Sequence, residues 1–219
     1  MLLAINMDEL TVSYPVPYYA QIASPELAAR VFSGELDPLL DPRWYETGAQ
    51  NVETYAHWVE RACGMACLKM CVEALGGLEK SLHAWIEEGV KAGAYLIRKN
   101  TDGSETEIGW IHQKMADVAA AVGLKAKCTT ADAGDIIAAL RQDRLVIASV
   151  SYELGTDFPI THKGGHLVVI WGVEVSDGQV RRFILNNPSG RTEQYRQGAR
   201  IPSERFMQAF TGRVILVHR

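Results

Sequence analysis

Cys63 stands at the head of a helical pattern, with a histidine and an asparagine in strand-like segments far downstream, the order expected of a thiol nucleophile and its base. It opens the run Ala62-Cys63-Gly64-Met65-Ala66-Cys67-Leu68-Lys69-Met70. Counting from Cys63, the residues Ala66, Cys67, Met70, Cys71 and Ala74 recur at helical spacing, the apolar stripe of a helix packed on a core. At such a helix N-terminus, unpaired N–H groups and the positive end of the peptide dipoles favour the thiolate, so the thiol pKa is expected to be lowered. Gly64 is read as giving backbone freedom where a substrate carbonyl approaches.

Acyl transfer from an amide needs a nucleophile, a base, a group that orients the base, and donors for the oxyanion. His166 begins a β-branched run, so its ring can project from a strand end toward a helix terminus and take the thiol proton. In the segment ending at Pro188, Phe183, Leu185 and Asn187 share one face while Ile184 and Asn186 share the other, so one asparagine at most faces the imidazole. Proline biases its predecessor toward extended geometry, which fixes the Asn187 amide. The Asn187 carbonyl oxygen can then accept from the imidazole N–H and hold one tautomer.

Four segments, in matching order, resemble the C39-like peptidases, a branch of the papain-like cysteine peptidases. They are Val16-Pro17-Tyr18-Tyr19-Ala20-Gln21, Cys63-Gly64-Met65-Ala66, Gly164-Gly165-His166 with the strand Leu167 to Gly172, and Ile184-Leu185-Asn186-Asn187-Pro188. The resemblance implies that Cys63 attacks, His166 is the base, Asn187 orients it, and Gln21 helps form the oxyanion hole with the Cys63 N–H. It also implies a peptide or amide substrate and no cofactor. Two features depart from the family pattern: the interval from Gln21 to Cys63 is long, and the last member is Asn where Asp is more usual.

Other chemistry-bearing residues have plainer readings. Cys67, Cys71 and Cys128 read as small buried hydrophobes. Structural zinc prefers close cysteine pairs followed by a second ligand pair, which does not follow here, so no metal site is assigned. His162 falls in a loop. Trp44, Tyr45, Trp58, Trp110 and Trp171 read as core or insertion packing, with Trp44 and Tyr45 able to wall a cleft.

The elements that must position the site follow from periodicity. Residues 22–50 are rich in proline and turn formers and read as an insertion within a single domain spanning 1–219. Helices are predicted from Asn51 to Leu75 with a break near Cys63, from Ser81 to Gly89, from Glu107 to Val122 and from Asp132 to Gln142. Strands are predicted at Leu124 to Thr129, Leu145 to Val150, His166 to Val175, Val180 to Leu185 and Gly212 to Val217, with Ser176-Asp177-Gly178 as a hairpin turn. The expected class is α+β and papain-like, a helical N-terminal half packed on a mainly antiparallel sheet from the C-terminal half.

With 219 residues, 47% of them hydrophobic, the chain can bury a sizeable core. A net charge of −4 with scattered Lys and Arg gives no basic field for nucleic acid. The run Met1 to Glu9 has no basic start and too short an apolar stretch for a signal peptide or membrane span, which points to a cytoplasmic protein with reduced thiols. The oligomeric state is not legible. The expected function is a cysteine peptidase or amidase working through a Cys63 thioester; the alternatives are a non-hydrolytic peptide-binding module and an acyltransferase or transpeptidase.

Overall fold

The computed structural model describes residues 8–219, so the run Met1 to Met7, read above for a signal peptide, lies outside the described residues. In chain order the elements are β1 (Asp8–Thr11), α1 (Ala28–Phe32), α2 (Val52–Val59), α3 (Cys63–Ala74), α4 (Leu82–Lys91), β2 (Tyr95–Lys99), β3 (Glu105–Trp110), α5 (His112–Ala121), β4 (Lys125–Thr130), α6 (Ala133–Leu140), β5 (Leu145–Ser151), β6 (Gly165–Ser176), β7 (Gln179–Asn186), β8 (Ala199–Pro202), α7 (Ser203–Ala209) and β9 (Arg213–His218). The class is α+β. The main sheet runs β4-β9-β5-β6-β7-β8 with β1 added to β6, and its pairings are antiparallel.

Helix α3 is central because its residues from Cys63 to Val72 are all buried, packed on β6 and α4. Lys69 lies within that buried stretch, where it pairs with Glu73 and donates to the Lys80 carbonyl at 2.7 Å, so its charge is compensated. Asn51, Ser81 and Asp132 cap α2, α4 and α6 with side-chain oxygens, whereas α3 follows Ala62 and receives no side-chain cap. Its first N–H groups are therefore left to other acceptors.

Strand β5 is buried throughout and β6 nearly so, which explains their continuous apolar sequences. The β6–β7 hairpin turns at Asp177 and Gly178, both with positive φ (53° and 73°), as a tight hairpin turn requires. Its register pairs Val169 with Asn186, so that continuing past the strand ends brings residues 187–189 alongside 166–168. This register brings together the two downstream segments of the site.

Two expectations differ from the fold. Glu107 to Trp110 is the end of β3, not the start of a helix: β3 pairs with β2 as a separate hairpin, and α5 begins at His112. The N-terminal segment also contributes β1 to the sheet, so the helical and sheet halves are not divided strictly by sequence. Residues 22–50 form short 3₁₀ turns and α1 around a small second core of Ile22, Ala28, Val31, Tyr55 and Val59. Trp44 packs against that core and Tyr45 is exposed, so neither walls the site cleft.

Candidate active site

Cys63 at the start of α3 and His166 at the start of β6 line the same cleft, of about 690 Å³. Trp110 forms part of its wall, with its indole N–H donating to the Arg61 carbonyl at 2.5 Å. The packing expected of Trp110 holds, since it belongs to the core, but it also walls the cleft, a role the sequence reading gave only to Trp44 and Tyr45. No local signal marks it, because its partner Gly64 is distant in sequence: a Cβ on Gly64 would stand 2.6 Å from Trp110 Cδ1 and Cγ. The glycine beside the thiol therefore serves close packing of the cleft wall, not backbone freedom.

His166 is buried, and its Nε2 lies 2.8 Å from Asn187 Oδ1. The Asn187 oxygen can only accept, so Nε2 carries the proton and Nδ1 is left with the lone pair of a neutral ring. Asn187 Oδ1 also accepts from the Ser189 N–H at 3.1 Å, and the Asn187 N–H donates to the Arg196 carbonyl at 3.0 Å. The Ser189 hydroxyl, at 3.0 Å from His166 Nε2, is a site residue that the sequence reading did not single out. Asn186 faces away, as its alternation with Asn187 predicts: its carboxamide accepts from Trp171 and Gly198 and donates to the Pro17 carbonyl.

The thiol is not the lowered one expected from a helix terminus. Cys63 is 7% exposed, and burial pushes its pKa up to about 11, while the N–H groups of Leu167, Gly64 and Cys63 itself act in the opposite direction. A helix terminus contributes at most about 2 kcal/mol. Taking a thiolate out of water costs more, and the net displacement corresponds to on the order of 3 kcal/mol. Burial likewise lowers His166 to about 4, opposed by its bond to Asn187 and assisted by the nearby Arg191 charge. The resting pair is therefore a neutral thiol and a neutral imidazole.

Gln21 reaches the neighbourhood from the other side: its backbone N–H donates to the Pro188 carbonyl at 3.0 Å, and its side chain lines a smaller pocket that also borders His166. One N–H of its carboxamide is held by the Val59 carbonyl at 2.6 Å, while its Oε1 is buried without a partner. Cys67 and Cys71 are sealed in the core with strongly raised pKa values, and Cys128 lines the cleft on β4. Among the described residues, no group of three or more His, Cys, Asp or Glu is placed to hold a metal, and no helix is long and apolar enough to cross a membrane.

The profile of the Peptidase_C39 like family matches residues 48–212. This chain belongs to that family. The matched span contains Cys63, His166, Asn187 and Ser189, and begins after Gln21. At the family level the protein is a cysteine peptidase. Among solved structures, it is similar to the peptidase domain of Streptococcus ComA, a bifunctional ABC transporter involved in a quorum-sensing pathway, at 19% identity over 73% of this chain and 93% of that one, with a TM-score of 0.45. A double glycine motif protease from an AMS/PCAT transporter, in complex with the leader peptide, is similar at 19% identity over 73% of this chain and 86% of that one, also with a TM-score of 0.45. No curated protein matches the chain.

Proposed function

We propose that this C39-like protein hydrolyses a peptide or amide bond with Cys63 as nucleophile, His166 as general base and Asn187 as the group that orients the imidazole. The observation that carries the reading is the 2.8 Å bond between His166 Nε2 and Asn187 Oδ1 in a ring that borders the same cleft as Cys63. With Nε2 holding its proton against Asn187, Nδ1 is free to take the proton of the thiol as the sulfur attacks the substrate carbonyl. Because both groups rest neutral, the proton moves during attack instead of beforehand.

The oxyanion falls to the uncapped start of α3, where the Cys63 N–H has no intrahelical acceptor. Gln21 would assist with the carboxamide N–H not held by Val59. Protonation of the leaving amine by His166 frees the first product and leaves a thioester on Cys63. Water, deprotonated by the neutral imidazole, then resolves it.

The test is digestion of a diverse peptide mixture, with new termini read by mass spectrometry, for the wild type and the Cys63→Ala and His166→Ala variants. Cleavage abolished by the first and reduced about 10²- to 10⁴-fold by the second is the expected result. Peptide binding without cleavage by the wild type would replace this reading with a binding module, and transfer of the acyl group to an added amine in preference to water would replace it with an acyltransferase.

A further inference from the structure

A second, smaller pocket of about 270 Å³ shares His166 and Gly165 with the main cleft and is lined by Gln21, Phe32, Tyr152, Ser189 and Arg191. Arg191 is held in place from two directions: its Nη1 donates to the Ser189 carbonyl at 2.8 Å, and its guanidinium carbon sits 4.0 Å over the Phe32 ring. These contacts use one N–H and one face of a group with five donors. Among the described residues it has no carboxylate within ion-pair distance, unlike Arg43, Arg61, Arg182 and Arg200, which each have at least one. Its surroundings are dry enough to lower its pKa to about 10, so it stays charged at neutral pH while incompletely compensated.

We propose that Arg191 receives a carboxylate of the substrate, making this pocket an anion-selective subsite beside the reacting bond. The assignment rests on the peptidase reading for its substrate, and on geometry for its chemistry. A planar guanidinium already fixed by stacking and one hydrogen bond loses little freedom on pairing with a carboxylate, and presents two parallel donors to it. The Ser189 carbonyl that anchors Arg191 belongs to the residue whose hydroxyl meets His166, so occupancy of this pocket sets the distance from the anchored carboxylate to the imidazole. Glu60, exposed at the border of the two pockets, is the one acidic residue lining this pocket and opposes a second negative charge. Glu60 also acts on the Arg191 charge, but it is exposed and the more strongly screened of the two, so the half-buried guanidinium keeps its attraction for a carboxylate in the pocket.

Two kinds of carboxylate fit: an Asp or Glu side chain, or the C-terminal carboxylate of a peptide. Fluorescent peptides in matched pairs separate them, one set with Asp or Glu against Asn or Gln and an amidated end, the other without acidic residues and with a free against an amidated C-terminus. Affinities are read by anisotropy on the Cys63→Ala protein, so the result does not depend on turnover. Roughly tenfold or more tighter binding of the acid in one set is expected, lost in Arg191→Gln, partly kept in Arg191→Lys, and increased in Glu60→Gln. Thermal unfolding of each variant establishes that it is folded. Equal affinity of acid and amide in both sets, absence of binding in both, or a preference that survives Arg191→Gln overturns the subsite. Cleavage by the wild type without acid preference would remove the subsite and leave the peptidase; an Arg191-dependent preference without cleavage would do the reverse.

Discussion

The hydroxyl of Ser189 lies 3.0 Å from His166 Nε2, the same ring nitrogen that is 2.8 Å from Asn187 Oδ1. Asn187 is thus not a solitary partner of the histidine. The segment Asn187-Pro188-Ser189 folds back so that one residue supplies an acceptor and the next but one supplies both a backbone donor to that acceptor and a hydroxyl beside the ring. The imidazole is fixed by a short loop whose position follows from the β6–β7 register.

Ser189 is accordingly expected to act as a positioning residue. Ser189→Ala should lower kcat by roughly 2- to 10-fold, the worth of one hydrogen bond, with KM little changed. Asn187→Ala should cost more, because it removes the acceptor of the Nε2 proton. Asn187→Asp places a negative charge against a histidine whose pKa burial holds at about 4, and so should move the acid limb of the rate profile upward, by roughly one to three units. An acid limb that does not move in Asn187→Asp would separate Asn187 from the imidazole.

The pH dependence of the thiol is the second expectation. With Cys63 raised to about 11 by burial, alkylation of this residue by iodoacetamide should keep rising through pH 9, without a plateau near neutrality. Peptide hydrolysis should behave differently, because the neutral imidazole delivers the thiolate only as it is consumed. Its rate should hold down to weakly acid pH and fall as His166 protonates near pH 4. Rapid labelling of Cys63 that levels off below pH 7 would show instead a preformed thiolate–imidazolium pair.

The helices α2, α3, α4 and α6, the strands β4, β5, β6, β7 and β9 and the order of site residues are legible because each leaves a local trace: the apolar spacing after Cys63, the unbroken Leu145 to Val150 run, the proline after Asn187. What was not legible depends on partners distant in sequence. The boundary between β3 and α5 is not legible because Ile111, Met115 and Val118 carry a helical spacing whose start cannot be told from the residues before it, and because β3's sheet partner among the described residues, β2, is mostly exposed and leaves no alternating pattern. The thiol went the same way. A helix N-terminus can be read from sequence, whereas the burial that overrides it arises only in the folded chain, where Cys63 is 7% exposed.

Stability should also fall in mild acid. His166 and His83 are both buried and lowered to about 4, against about 6.5 when unfolded. Between those values the unfolded chain binds more protons than the folded one, so stability is full above about pH 6.5 and declines as pH drops toward 4. For His166 the loss is on the order of 3 kcal/mol. The carboxylates of Glu107, Glu153 and Glu174 are lowered from 4.5 and begin to lose their own stabilisation only as pH falls toward that value, so the histidines dominate the upper part of the window. Thermal melts from pH 7 to 4 should show a shallower decline in His166→Gln than in the wild type; parallel curves would mean that His166 does not titrate this way.

Gly155 provides the most specific test of how Asn187 is held. A Cβ at this position would stand 2.8 Å from Asn187 Nδ2 and 3.3 Å from the Gly190 Cα, so Gly155→Ala must push the carboxamide or the loop behind it. Only the carboxamide end can give, since the other contact is backbone. Overpacking of this kind costs roughly 1–3 kcal/mol, and displacing Oδ1 from its 2.8 Å bond should lower kcat about tenfold or more. Because the effect on rate passes through Asn187, it should vanish when Asn187 is already Ala: the Gly155→Ala and Asn187→Ala double variant should turn over as slowly as Asn187→Ala alone, and no slower. Additive losses in that cycle would place the effect of Gly155 elsewhere in the loop.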